Sequence, residues 1–100
     1  MVTVGMLIRI EAKPDKAAEV EATLKAALEQ IRKETATVVW FALRLGPTTF
    51  GVFDASADEA GRRAHEAANG EALQAAAAEL FAAAPIVEYV DVIAAKLPQV

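Results

Sequence analysis

The apolar residues change their spacing repeatedly along the chain, and the order of those changes constrains the fold more than any other feature. Val2, Val4, Met6, Ile8 and Ile10 fall on one side of an extended segment, with Thr3, Gly5, Leu7, Arg9 and Glu11 on the other. That is the period-two signature of a half-buried strand. Pro14-Asp15 then marks a turn and a candidate helix cap, after which Leu24, Ala27, Leu28 and Ile31 recur at helical spacing, extended backwards by Val20 and Ala17. The spacing predicts a helix from about Lys16 to Glu34. Its other side carries Glu21 four residues before Lys25 and Glu29 four before Lys33, the favourable orientation for exposed helical pairs.

Two β-branched and aromatic runs follow, Thr37 to Leu45 and Thr48 to Phe53, separated by Gly46-Pro47, and they read as an antiparallel hairpin. Ser56-Ala57-Asp58-Glu59 fits a capping box and starts a second helix that reaches about Ala68. Asn69-Gly70 tolerates the left-handed backbone that ends many helices, so a third helix is expected over Leu73, Ala77, Leu80, Phe81 and Ala84, stopped by Pro85. Ile86 to Leu97 closes the chain as a fourth apolar strand. The order βαββααβ is a split βαβ pattern with a broken second helix. It predicts one α+β domain over residues 1–100, with a four-stranded antiparallel, ferredoxin-like sheet and its helices on one face.

The uncovered face then needs a partner. Val39, Phe41, Leu43 and Leu45 share one side of the second strand, and Trp40, Ala42 and Arg44 share the other, so neither side is properly polar. Of the 55% of residues that are hydrophobic, 24 are Ala, which leaves a thin supply of bulky side chains for a small domain. Two sheets packed face to face in a homodimer answer both problems. Residues 1–50 carry 7 basic and 6 acidic side chains and residues 51–100 carry 3 and 8, so no basic stripe exists for phosphates and nucleic acid is an unexpected partner. No apolar run approaches the roughly 18 residues of a membrane span. Without a basic leader, a cytoplasmic location is the expectation. The chain has no Cys and one His, so thiolate chemistry, disulfides and His-rich metal sites are not expected.

Several segments carry a family likeness: Trp40 to Phe53 (WFALRLGPTTFGVF), the helix entry Asp54 to Arg62, His65 one turn further, and the closing Glu88 to Pro98. Over nearly the whole chain the sequence resembles the antibiotic biosynthesis monooxygenase (ABM) domains of the dimeric α/β-barrel superfamily. The resemblance implies a homodimer, and, among the activities of similar members, oxygenation of polycyclic phenols and quinols without metal or flavin. Other similar members degrade haem or isomerise a signal molecule. Where polyketide-tailoring members carry Asn, Trp and Tyr, alignment on Asp58-Glu59-Ala60 brings Gly51, Ala55 and Gly61. Haem-degrading members also rely on a Trp near Ala55, and its absence, with no further His for axial ligation, argues against that branch.

The candidate catalytic residues are therefore His65 and Arg44, with Trp40, Phe50, Phe53 and Tyr89 as candidate substrate contacts. His65 has an unperturbed pKa of about 6.5, whereas Tyr lies near about 10 and free carboxylates near about 4, so it alone exchanges protons near neutrality without tuning. The other reading of His65 is a helix-surface or interface residue that only hydrogen-bonds. Arg44 and Trp40 share a strand face, so a guanidinium could orient a phenolate while an indole stacks on a ring; an interface ion pair beside a packed Trp is the alternative. Phe50 and Phe53 point to opposite faces, and core packing explains both. Arg62 and Arg63 diverge on the helix and read as solvated charges. Tyr89 lines either a pocket or a dimer seam. A deprotonated quinol or phenol reduces O₂ itself, so an apolar pocket, a base and an anion stabiliser suffice and no cofactor is expected. The function expected is cofactor-independent oxygenation of a quinol, polyphenol or similar aromatic; the alternative is a non-catalytic ligand-binding or scaffold homodimer.

Overall fold

The alternating first segment forms an inner strand flanked by two others. The computed structural model describes residues 1–98. Strand β1 (Val4–Glu11) pairs antiparallel with β3 (Thr49–Ser56) on one side and β4 (Ile86–Asp91) on the other. Strand β2 (Thr37–Arg44) adds to the far side of β3, giving the order β2-β3-β1-β4. Helices α1 (Ala17–Ile31) and α2 (Glu59–Leu80) pack on one face. The fold is the antiparallel, ferredoxin-like α+β sheet that the order of periods implies. Among the described residues no helix is long and apolar enough to cross a membrane.

The core lies where the even-numbered residues of β1 meet the helices. Ile8 and Ile10 pack with Phe50 and Val52 of β3, Val20 of α1, and Leu80 and Phe81 at the end of α2. Ile10 and Phe50 are register partners and almost inaccessible. Burying side chains of this size contributes about 1.5–3 kcal/mol each. At the hairpin, the Glu11 carboxylate accepts the hydroxyls of Thr48 and Thr49, whose hydrogen bonds hold its pKa below the usual carboxylate range.

Element boundaries differ from the sequence expectation in several places. Helix α2 is continuous through Asn69-Gly70, and among the described residues none has a positive φ. The Asn69 side chain is bonded to Glu34 and to the His65 carbonyl, and Leu73, Ala76 and Ala77 pack onto the core, so packing carries the helix past its turn signal. Ser56 ends β3 rather than capping α2; Asp58 is the cap and accepts the Gly61 amide at 2.9 Å. Strand β4 stops at Asp91, and beyond it Val92 N–H still bonds Thr3 C=O. Helix α1 starts after Lys16 with no side-chain cap and ends at Ile31.

The surface charges also sort differently from expectation. Glu21 pairs with Lys25 at 3.0 Å as the spacing predicts, but Glu29 pairs with Arg32 at 3.3 Å. Arg62 is no solvated charge. Its side chain is only 12% exposed, donates to the carbonyls of Gly5 and Val90, and pairs with Glu59, tying α2 to two strands. Arg63 is exposed as expected.

On the sheet face away from the helices, Phe41, Phe53 and Leu7 form one cross-strand row. Phe41 is 55% exposed and Leu7 40% exposed. Leu43 and Val39 flank the row, which makes the uncovered face apolar. A contiguous apolar surface of this kind is typical of an interaction site.

Candidate functional site

Period two along β3 brings a carboxylate indoors. Phe50 and Val52 point to the helices, and two residues on Asp54 does the same, becoming fully inaccessible. Facing it from α2 is His65, 5% exposed, and one turn later Asn69. Glu34, just beyond α1, and Thr37, at the start of β2, close the cluster.

The contacts define a polar network at the edge of the core. His65 Nδ1 lies 2.5 Å from Glu34 Oε1. Thr37 Oγ1 donates to the same Oε1 at 2.8 Å, and Asn69 Nδ2 donates to Glu34 Oε2 at 2.8 Å. Asn69 Nδ2 also donates to the His65 carbonyl at 2.8 Å. His65 Nε2 stands 3.3 Å from Asp54 Oδ2, but neither Asp54 oxygen has the alignment of a hydrogen bond, so this contact is ionic only. The nearby Ser56 hydroxyl is buried without a partner.

These neighbours set the charge states. Burial works to lower the His65 pKa, but the carboxylates of Asp54 and Glu34 outweigh it and raise the imidazole above its ordinary value. Burial works to raise the pKa of Glu34, and hydrogen bonds from Asn69, His65 and Thr37 reverse that, holding it below the usual carboxylate range. A Glu34 carboxylate on Nδ1 places the proton there, which leaves Nε2 as the nitrogen that gains and loses a proton.

Next to this network is a cavity of about 220 Å³ between the sheet and the two helices. Met6, Ile8, Val52 and Leu73 supply apolar wall, Trp40 one aromatic side, and His65 and Asn69 the polar end. Among the described residues no Lys or Arg lines it; Glu66 and His65 are its titratable groups. A dry apolar cavity of ~150 Å³ accepts benzene, so this one has room for a one- or two-ring molecule.

The expected residues separate into distinct places. Trp40 and His65 border the same cavity. Arg44 shares Trp40's strand face but lines a more open groove between α1 and β2, where it pairs with Glu21 and lies 4.7 Å over the Phe50 ring. Phe50 is core; Phe53 stands on the uncovered sheet face. Tyr89 donates its hydroxyl to Glu66, with Arg62 5.3 Å from its ring, and that hydrogen bond to a carboxylate favours the protonated phenol, raising the Tyr89 pKa. At Gly61 a Cβ would sit 3.0 Å from Ser56 Cβ and 3.3 Å from Ala36 C=O, so the helix start is packed too closely for a tyrosine.

Glu34, Asp54, Asn69 and Thr37 were not singled out from the sequence. Asp54 carries a readable signal, an acidic residue at an inward position of an alternating strand, and Asn69 lies at i+4 from His65. Glu34 and Thr37 have none, because only the folded chain brings them to His65. Among the described residues no group of three or more His, Cys, Asp or Glu is arranged to hold a metal ion.

No protein-family model and no curated protein sequence matches the chain. Among solved structures, the NE2512 protein of unknown function from Nitrosomonas europaea is 47% identical, over 99% of this chain and 97% of that one, with a TM-score of 0.95. A second Nitrosomonas europaea structure, named as a candidate antibiotic biosynthesis monooxygenase, is 17% identical over 91% and 90% of the two chains, with a TM-score of 0.80. A Caulobacter crescentus structure of the same designation is 22% identical over 93% and 92%, with a TM-score of 0.75. The last two likenesses are likenesses of fold.

Proposed function

Because the chain belongs to the family of the Nitrosomonas europaea protein NE2512, within the antibiotic biosynthesis monooxygenase fold, we propose that its cavity binds a small aromatic phenol or quinol and oxygenates it. The observation that carries this reading is the Glu34–His65 pair at the border of an apolar cavity that also presents Trp40. In its neutral form His65 accepts the hydroxyl proton, and Glu34 and Asp54 stabilise the imidazolium that results. A ring carbon of the phenolate then adds to O₂, forming a C–O bond with an electron pair from the ring. His65 returns its proton to the terminal oxygen. Cleavage of the O–O bond releases hydroxide, which takes the ring hydrogen as a proton, so one phenol and one O₂ give one quinone and one water. The phenolate supplies the electrons, so the reading invokes no metal or flavin.

The test is oxygen uptake with a panel of hydroxylated naphthalenes under labelled O₂. The reading requires a quinone product that carries one labelled atom, and label found only in hydrogen peroxide contradicts it. Arg44 favours a second reading, ligand binding without turnover. It is paired with Glu21 outside the cavity, so among the described residues no Lys or Arg faces a developing phenolate. Under that reading ligands bind and oxygen uptake stays at the background rate.

The uncovered apolar face, with Phe41, Phe53 and Leu7 at its centre, supports a homodimer with the two sheets face to face. An obligate interface of this type buries about 2,000 Å² or more.

A further inference from the structure

Asn69 holds an amide whose orientation the network dictates. Two of its neighbours, Glu34 Oε2 and the His65 carbonyl, only accept hydrogen bonds, and each lies 2.8 Å from the amide nitrogen. With the amide turned over, Oδ1 would face two acceptors, so Nδ2 must point at them. Both amide hydrogens are thereby engaged. Oδ1 is left, and no donor among the described residues reaches it. Asn69 lines the cavity, and Oδ1 is the polar atom of its side chain left for a ligand there.

Charge limits what that ligand can be. The cavity wall contains no Lys or Arg among the described residues, and the His65 charge is matched by two carboxylates, with Glu66 adding a third nearby. An anionic group entering this end meets an excess of negative charge and a hydrogen-bond acceptor. A neutral hydroxyl meets a preset partner.

We infer that Asn69 Oδ1 is the specificity-determining acceptor of the cavity, selecting uncharged hydroxyl-bearing aromatic molecules over both unsubstituted rings and aromatic carboxylates. The inference rests on the cavity reading above and assigns the group that recognises its substrate class. In a ring with two hydroxyls, one is anchored at Asn69 and the other remains for His65, one helical turn away.

The test is binding of naphthol, naphthalene and naphthoate to the full chain at neutral pH, followed by NMR shift titration. One net hydrogen bond gives naphthol an advantage over naphthalene of about 3- to 10-fold. Naphthoate is expected to bind at least ~10-fold more weakly than naphthol, since its charge has no partner. In Asn69→Ala the ratio of naphthol to naphthalene affinity falls to about one. Equal affinity of wild type for naphthol and naphthalene, naphthoate binding as tightly as naphthol, or a naphthol preference that survives in Asn69→Ala would each overturn the inference while leaving the cavity reading intact. Failure of all three probes to bind would overturn both. If Asn69→Ala does not fold, the three wild-type affinities alone decide.

Discussion

His65 Nδ1 and Glu34 Oε1 stand 2.5 Å apart although the residues are 31 positions apart in sequence. The pair joins the middle of α2 to the segment that leaves α1, at the edge of the cavity. Its stability contribution has a definite pH window. The His65 pKa is raised, so its contribution is fully present below the unfolded value of 6.5 and is lost as pH climbs through the folded value. The Glu34 pKa is lowered, so its contribution is present above the unfolded value of 4.5 and is lost as pH falls through the folded value. Stability from the pair therefore peaks between the two unfolded values. Urea unfolding of wild type and Glu34→Gln across this range is expected to show the largest difference there, about 1–3 kcal/mol, and a pH-independent difference would reject the pairing.

Asp54 is a buried carboxylate with no aligned hydrogen bond, and its ionic contact with Nε2 helps hold the His65 proton. Asp54→Asn should lower the His65 pKa towards its ordinary value. His65 is the single histidine, so its ring-proton NMR titration reads this directly. Because the proposed base is neutral His65, turnover in wild type should rise with pH through the raised pKa, and in Asp54→Asn the rise should move to lower pH. An unshifted titration would remove Asp54 from the network.

Gly70 sits inside α2 with ordinary helical backbone, and a Cβ there meets no atom within 4 Å. Ala should therefore gain the helix-propensity difference without a clash. Gly70→Ala is expected to stabilise the chain by about 0.5–1 kcal/mol in urea unfolding. A loss of stability would mean that the position needs a conformation only glycine supplies.

Phe41 lies at the centre of the uncovered sheet face, in register with Phe53. Phe41→Asp places a charge in the proposed face-to-face interface. Sedimentation equilibrium should find wild type dimeric at micromolar concentration and the variant monomeric. A monomeric wild type would leave the apolar face without its proposed partner.

Much of the fold was legible because local pattern and tertiary packing agree. The alternation from Val2 to Ile10 and the Val20 to Ile31 stripe mark the buried sides of β1 and α1, and Trp40 and Arg44 do share a side of β2. Where tertiary contacts compete with local signals, the sequence reading stopped short. Asn69-Gly70 has the composition of a helix end, yet Asn69 turns its side chain to Glu34 and the helix runs on. Ser56 and Asp58 both suit a cap, and strand pairing of Ser56 with Val4 and Thr37 decides in favour of Asp58. Of the site, His65 and Trp40 were visible from residue chemistry. Glu34 was not, since its role depends on a contact across the fold.

The most direct test of the account is the rate of oxygen uptake by His65→Ala against wild type, on the hydroxylated naphthalene that wild type oxidises fastest. Positioned proton transfer contributes ~10²- to 10⁴-fold, so the variant should lose at least the smaller factor while its circular dichroism and sedimentation remain those of wild type. Equal rates in the two proteins would contradict the assignment of His65 as the base.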